Sequence, residues 1–422
     1  MPKGQDMTIG FICETYLPYS TGGAEESVEA LASSLSKKGI RIIFIAPNFG
    51  SPTIRGKNII LRLFPVPFKV KKYSVLSPIF LTTIIFQLYS AFWIWYMCRR
   101  EDVDLLHVHG KYMIVPTSIA QFFLRRPIVI SIRDYIPLCP YGLCLFDHDR
   151  VANLGTFFLQ ELPQYANLYA RSFFSKWSTI LTGLRGWCVS QAMCFFLRRA
   201  DRIVFLSSLH RSIYRNYRID GDVIGNIVNV PKRGQVSTEN INLLFIGRLS
   251  FGKGADIVLD AYKAILRTYP KSQLTFIGEG ALRVKLEKTV REEKIKKRVI
   301  FTGFLERAKA LKILQLANVV VLPGRWPEPF GRVAAEALLL GVPVVASKRS
   351  GWVSFIEDEK TGMLVEPNAS EVERGIRKIL RGQEKFRRDI QKKQKNFRRL
   401  FGEDVVDGYM RLYRLLLERR PA

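Results

Sequence analysis

Glu328-Pro329-Phe330-Gly331, followed by Glu336, is the grouping in this chain best suited to chemistry. Two carboxylates bracket the start of a helix. The run from Val319 to Leu322 reads as a buried strand, and Phe330 to Leu340 has helical composition. Gly341 and Pro343 end that helix, and Val342 to Ala346 reads as the next strand. Glu328 then lies on the loop entering the helix, and Glu336 lies within it. In a parallel sheet such a loop sits at the carboxyl edge, where ligands bind. Free N–H groups at the helix start attract anions. Carboxylates beside an anion site need another task, and accepting hydrogen bonds from sugar hydroxyls is one.

Two further loops carry ligand-type residues. Gly247-Arg248-Leu249 follows a strand, with Lys253-Gly254 shortly after. There glycine lets the backbone approach a phosphate, and the two cations neutralise it. Gly278-Glu279-Gly280 makes a tight turn after the next strand. Each loop alone is a weak signal, but three successive strand ends bearing such residues are hard to assign to chance.

The elements that must position these residues form two series. Thr8 to Cys13, Ile40 to Ala46 and Ile59 to Phe64 read as strands, with a helix from Ala24 to Lys38 after Thr21-Gly22-Gly23. Asp104 to His109 and Ala200 to Ser207 are later strands. Polar residues from Lys232 to Asn240 read as a linker. Beyond it, Leu243 to Ile246, Gln273 to Ile277, Val299 to Thr302, Val319 to Leu322 and Val342 to Ala346 alternate with helices. The expectation is two doubly wound α/β domains, 1–231 and 241–404, with a helix over about 405–422 crossing back to the first.

The chain has 422 residues and a net charge of +28, which favours anionic partners. Six cysteines in this length make no disulfide framework, and no signal peptide is evident. A cytoplasmic enzyme, peripheral on the membrane's cytoplasmic face, is expected. The uncharged run from Val75 to Met97 reads as a core helix, with a helix dipping into one leaflet and a full span as alternatives. Between Phe157 and Arg199, aromatics alternate with arginine and lysine. That pattern suits a membrane interface or an ordinary packed helical pair.

The Gly247-Arg248, Lys253-Gly254 and Gly278-Glu279-Gly280 loops and the block from Glu328 to Ser347 resemble the retaining GT-B glycosyltransferases of glycosyltransferase family 4. Thr21-Gly22-Gly23 is similar to the family's amino-terminal glycine loop. Asp104 to Gly110 is similar to its histidine-bearing strand, and Asp201 to Ser207 to the strand near the end of its first domain. The resemblance implies two Rossmann-like domains across a cleft and transfer of a sugar from a UDP- or GDP-sugar. Arg248 and Lys253 would hold the diphosphate, assisted by backbone amides at Phe330 and Gly331 beside Pro329. Glu328 would accept hydroxyls of the transferred sugar, and Glu336 those of the ribose. Phe304 would border the base, Gly278 and Gly280 would shape the donor site, and Gly22 and Gly23 would let the first domain approach the phosphates. His109 would lie near the anomeric centre or the acceptor. No metal and no cofactor are implied.

Two positions depart from the family pattern. Ser350-Gly351-Trp352 stands where a Gly-Gly pair is frequent, and Arg133-Asp134 where a histidine–aspartate pair is. An acceptor phosphate near Arg133 is one expectation. Charge and the apolar segments favour a lipid-linked acceptor at an anionic membrane surface, with a soluble sugar acceptor as the alternative. The same fold could also perform epimerisation or phosphorolysis. A basic nucleic-acid-binding protein is disfavoured, because glutamates occupy the site and would repel phosphates. Asp147-His148-Asp149 and a set formed by Cys139, Cys144 and His148 with Cys188 or Cys194 are weaker metal candidates.

Overall fold

The computed structural model describes residues 7–19, 23–54, 56–67, 81–140, 154–163, 173–231 and 241–418. They divide into two compact units. The first takes Met1–Ile227 with Asp404–Ala422, and the second takes Val228–Glu403.

In the first unit, β1 (Thr8–Ile12), β2 (Arg41–Pro47), β3 (Ile59–Phe64), β4 (Leu105–Val108), β5 (Ile128–Ser131), β6 (Arg202–Phe205) and β7 (Asp222–Val223) form one parallel sheet. Their order is β3-β2-β1-β4-β5-β6-β7. Near-continuous apolar runs make such strands, because both faces of a parallel sheet are covered; β1, β4 and β5 are buried throughout. Helix α1 (Gly23–Lys37) covers one face together with the chain's last helix, Glu403–Glu418. That helix buries Val405, Val406, Tyr409, Tyr413 and Leu416 among Ile9, Phe11 and Leu31. Spacings of three and four residues give it this single apolar stripe.

The apolar run beginning at Val75 is not one core helix. Helix α2 spans Ile84–Arg100 and starts where the Thr83 hydroxyl accepts the Phe86 N–H at 3.3 Å. A threonine in extended backbone at that position satisfies an orphan donor, so it sets the helix boundary. One face buries Phe86, Ala91, Ile94 and Met97, while Ile84, Ile85, Leu88 and Phe92 are exposed. Val75 to Phe80 lies outside the described residues.

In the second unit, β8 (Asn242–Ile246), β9 (Gln273–Ile277), β10 (Val299–Gly303), β11 (Val319–Leu322), β12 (Val344–Ser347) and β13 (Gly362–Val365) are parallel in the order β10-β9-β8-β11-β12-β13. β13 is an addition to the strands read from sequence. In both sheets the order reverses once, between β1 and β4 and between β8 and β11. Connections leave in opposite directions at such a point, and a crevice opens at the carboxyl ends of the two strands.

Candidate functional site

The second unit's reversal point carries the predicted donor residues. Residues 247–254 follow β8, and residues 323–331 follow β11. Lys253 Nζ and a carboxylate oxygen of Glu328 form an ion pair joining these loops. The Arg325 guanidinium locks the same junction. It makes paired bonds of 2.9 and 2.8 Å to Asp256 and lies 3.8 Å over the Phe251 ring. The Trp326 N–H donates to the Gly252 carbonyl at 3.0 Å. Arg248 is exposed, and its guanidinium makes no hydrogen bond or ion pair among the described residues. It is the cation still open to an anion.

The loop bearing Glu328 is clamped from behind by Ser350-Gly351-Trp352. The Glu328 N–H donates to the Ser350 hydroxyl at 3.1 Å, and the Gly351 N–H donates to the Glu328 carbonyl at 2.7 Å. Trp352 is buried, and its indole N–H donates to the Ser347 carbonyl at 2.6 Å. Its ring lies against Gly331, which has φ +83°. A Cβ built there would fall 2.2 Å from the ring, so only glycine fits. Serine and tryptophan thus take over the support of the glutamate loop where the family often has two glycines. Pro329 is buried. The Phe330 side chain packs on Phe355 and Phe401, so it belongs to the core. The backbone N–H groups of Phe330 and Gly331 meet no acceptor among the described residues. They precede the helix Arg332–Leu339, where free amides and the helix dipole favour an anion.

Glu336 is nearly buried and already engaged. Its Oε1 accepts from Arg332 Nε at 3.0 Å, Arg307 Nε at 3.2 Å and Arg307 Nη2 at 3.1 Å. All three bonds fall on one oxygen. Arg332 lies four residues before Glu336 on the same helix face, a spacing visible in the sequence. Arg307 begins the helix after β10 and meets Glu336 only through strand order. Neither arginine was singled out from sequence. Phe304, just past β10, is half-exposed.

Gly278 and Gly280 have a packing task at this junction. A Cβ on Gly278 would lie 2.1 Å from the Gly247 carbonyl oxygen, and one on Gly280 would lie 2.3 Å from that of Leu249. These glycines let the loops after β8 and β9 pack backbone on backbone. Leu249 N–H donates to the Glu279 carbonyl at 2.9 Å in that contact. They hold the Arg248 loop against the loop after β9.

The first unit has its own pocket at its reversal point, with a volume of about 110 Å³. Glu14 and Thr15 enter it after β1, His109 and Lys111 after β4, Arg133 and Asp134 after β5, and Glu25 from the first turn of α1. Lys111 pairs with Asp134 at 2.5 Å. Arg133 donates to Asn226 Oδ1 at 2.8 Å and contacts His109 Nδ1 at 3.3 Å. His109 Nε2 and Glu25 Oε2 are buried without a hydrogen-bond partner among the described residues. Burial, with His107 and Arg133 adding to it, holds the His109 pKa well below the usual histidine value, so its ring is neutral. Burial pushes the Glu14 carboxyl up to about 7. Glu14, Glu25 and Lys111 were not identified from sequence, although all three lie at loop positions that a β1–β4 reversal brings together.

His107, two residues before His109, does structural work. Its ring nitrogens lie 2.6 Å from Tyr413 Oη and 2.7 Å from Ser131 Oγ, tying the last helix to the sheet. Gly23 is the first residue of α1, and Gly22 lies outside the described residues. Cys139 is disulfide-bonded, so its sulfur is not a thiolate ligand. Cys144 and Asp147-His148-Asp149 lie outside the described residues. Among the described residues no group of three or more histidine, cysteine or carboxylate side chains could hold a metal.

Two doubly wound parallel domains, one with cations, glutamates and free helix-start amides at its reversal point, define a GT-B glycosyltransferase. The sequence matches Glycosyltransferase Family 4 over residues 21–231 and Glycosyl transferases group 1 over residues 229–397. The chain belongs to glycosyltransferase family 4. It is 29% identical over 381 residues, 89% of each chain, to an uncharacterized glycosyltransferase of Methanocaldococcus jannaschii. It is 22% identical to a 2-deoxystreptamine N-acetyl-D-glucosaminyltransferase of Niallia circulans, over 82% of this chain and 85% of that one. The fold is similar to that of Anabaena HepE in complex with UDP-glucose, with a TM-score of 0.66 and 19% identity over 98% of this chain and all of that one. It is also similar to sucrose-phosphate synthase of Thermosynechococcus elongatus, with a TM-score of 0.71 and 18% identity over the same shares.

Proposed function

We propose that this glycosyltransferase takes its sugar from a nucleoside-diphosphate sugar, with retention of anomeric configuration, and passes it to an amphiphilic, lipid-linked acceptor. The observation that carries the donor half is the second unit's reversal point. Arg248 and Lys253, the free amides of Phe330 and Gly331, and the carboxylates of Glu328 and Glu336 all belong to the loops and helix there. Arg248, Lys253 and the amides hold the diphosphate. Negative charge grows on the departing nucleoside diphosphate, and these fixed donors stabilise it more in the transition state than in the ground state. A divalent ion is not required on this reading. Glu328 accepts hydroxyls of the transferred sugar, and Glu336 offers Oε2 to the ribose while Oε1 keeps its arginines. Phe304 borders the base. HepE, similar in fold, binds UDP-glucose, which fits a nucleotide-sugar donor here.

The first unit's pocket serves the acceptor. Glu25 and Asp134 offset its two cations, and Glu14 is partly protonated near pH 7, so without excess positive charge it suits sugar hydroxyls better than the phosphate first expected beside Arg133. His109, neutral and with Nε2 unsatisfied, hydrogen-bonds the reacting hydroxyl and supplies no charge. No side chain is assigned as a covalent nucleophile; attack on the leaving-group face accounts for retention.

The test is a thermal-shift screen of UDP, GDP and their sugars, followed by product analysis with a labelled donor. A stabilising response to one nucleotide series and an α-linked product from an α-linked donor are expected. No response to any of them, or an inverted product, overturns the reading. Free epimerised sugar, or sugar phosphate formed only with inorganic phosphate, would instead point to epimerisation or phosphorolysis.

A further inference from the structure

One face of the first unit remains unexplained by transfer chemistry. Helices α2, Ile114–Leu124 and Phe173–Leu197 are the successive crossovers β3–β4, β4–β5 and β5–β6. Right-handed crossovers running in this direction place all three on the sheet face opposite α1. All three expose apolar side chains. On α2, Ile84, Ile85, Leu88 and Phe92 face solvent, with Ile85 at 83% exposure. Phe122 is 76% and Phe123 65% exposed, and Leu181, Leu184 and Phe195 continue the patch. A groove of about 410 Å³ lies between the last two helices, walled by Phe122, Phe123, Phe195 and Phe196. Isolated exposed apolar side chains are ordinary, but such side chains on three neighbouring helices, with an apolar groove between two of them, mark a contact surface.

Charge identifies the partner. Each helix ends in a pair of arginines, Arg99-Arg100, Arg125-Arg126 and Arg198-Arg199. Each pair leads directly into β4, β5 or β6, which are hydrogen-bonded neighbours. The three pairs therefore line one sheet edge beside the apolar face. Five of the six arginines are exposed, Arg126 being half-buried. The acids nearby are already engaged. Asp102 pairs with Arg126 at 3.0 Å, Asp104 accepts the Thr8 N–H at 2.9 Å, and Asp201 accepts the Ile128 N–H at 2.8 Å. Apolar helix faces with an arginine rim match a bilayer interface carrying anionic headgroups.

We infer that this three-helix face seats on an anionic lipid bilayer, with the apolar side chains among the acyl chains and the arginine pairs on the phosphates. The stretch Ile180–Leu197 is long and apolar enough to cross a membrane, and 28% of it is buried. A single crossing there would separate β5 from β6, so it lies in the interface. The inference deepens the lipid-linked acceptor reading, yet it rests on side chains that do not line the pocket, and the arginine pairs lie at the other edge of the same sheet.

Flotation of the full chain with vesicles tests it without measuring transfer. Vesicles of phosphatidylcholine alone are compared with vesicles containing phosphatidylglycerol, at low and high salt. Binding to the anionic vesicles, weakened by salt, is expected. Each arginine neutralised lowers the partition about fivefold, so Arg99→Gln, Arg125→Gln and Arg198→Gln together lower it roughly 100-fold. Phe122→Ser with Phe123→Ser lowers it at least about tenfold. All these positions are exposed, and an unchanged melting temperature shows that the variants fold. Equal binding to both vesicle types, no binding to either, or variants that float like the parent would overturn the proposal. So would a dimer split by Phe122→Ser and Phe123→Ser in a chain that ignores vesicles, since the face would then belong to a second copy. Failure of the donor screen would leave this result unaffected, because no step depends on the nucleotide.

Discussion

Glu336 offers the sharpest separation of structural from ligand-binding work. In the proposed complex Oε2 accepts ribose hydroxyls, while Oε1 accepts three bonds from Arg307 and Arg332. Glu336→Gln keeps the volume and removes the charge. A hydrogen bond to a charged group contributes about 1.5–3 kcal/mol, so losing the ribose contact weakens the nucleoside diphosphate roughly 10- to 150-fold. The substitution also loosens the two arginines, which changes their attraction for the diphosphate. A paired ligand removes that second effect. Calorimetric affinities of parent and variant are measured for the nucleoside diphosphate and for its 2′,3′-dideoxy analogue, which keeps both phosphates. The variant should lose most of its deficit against the analogue, with less than about a threefold difference remaining. An equal loss for both ligands would refute the ribose role and leave Glu336 as an anchor for its arginines.

Other outcomes follow from the same geometry. Gly331→Ala puts a Cβ into the Trp352 ring at a positive φ; strain of about 1–2 kcal/mol and overpacking of about 1–3 kcal/mol should visibly lower the melting temperature of the second unit and abolish nucleotide binding. An unchanged melt would show that the tryptophan yields freely. Lys253→Ala should lower kcat about 10²- to 10³-fold, because it removes a fixed cation from the leaving group; a change confined to KM would place Lys253 in ground-state binding alone. Glu14 has a folded pKa near 7, raised by burial, so its contribution to stability is fully present below the unfolded value near 4.5 and is lost as pH rises through 7. His107 and His109 have depressed values and act oppositely, losing stability as pH falls below about 6.5. Glu14→Gln should therefore steepen the loss of stability on acidification from pH 7 to 5 in denaturant titrations, and a parallel profile would contradict the assignment. Dialysis against a chelator should leave transfer unchanged; a tenfold loss restored by magnesium would assign the leaving-group charge to a metal.

The strands were legible because parallel strands are continuous apolar runs, and Gly39 and Gly341 punctuate them clearly. β7 escaped because it has only two residues and is exposed along its length; β5 and β13, four residues each like β4 and β11, were also left unread, so length alone does not account for them. The residues proposed to bind the donor could be grouped from sequence because they cluster within single strand-to-loop junctions. Partners separated by many residues were not: Arg307 reaches Glu336 from another loop, and Ser350 holds Glu328 from beyond the next strand. The first unit's pocket failed for the same reason. Glu14, Glu25 and Lys111 are unremarkable in their local contexts, and only the order of β1 and β4 unites them. The run beginning at Val75 misled because hydropathy reports composition, whereas Thr83 and the exposed stripe decide where the helix starts and which face it buries.

Both glutamates of the proposed donor site are paired with cations, Glu328 with Lys253 and Glu336 with Arg307 and Arg332. This is the arrangement that a site awaiting a diphosphate and a sugar requires. Several unpaired cations gathered at one sheet edge would repel one another. The carboxylates offset that repulsion until a ligand arrives. On the proposed reading the diphosphate then takes Lys253, and Glu328 turns its charge toward the sugar hydroxyls. Glu336 keeps its arginines and adds the ribose with its other oxygen. Arg248, exposed and without a hydrogen bond or ion pair among the described residues, is on that reading the cation that meets the phosphate first. On the same reading the first unit's pocket differs, with Glu25 and Asp134 offsetting its two cations, a partly protonated Glu14 and a neutral histidine, which disfavours phosphate and suits acceptor hydroxyls. On the proposed reading, the different charge balance at the two reversal points is what separates donor from acceptor, without reference to how the units are arranged.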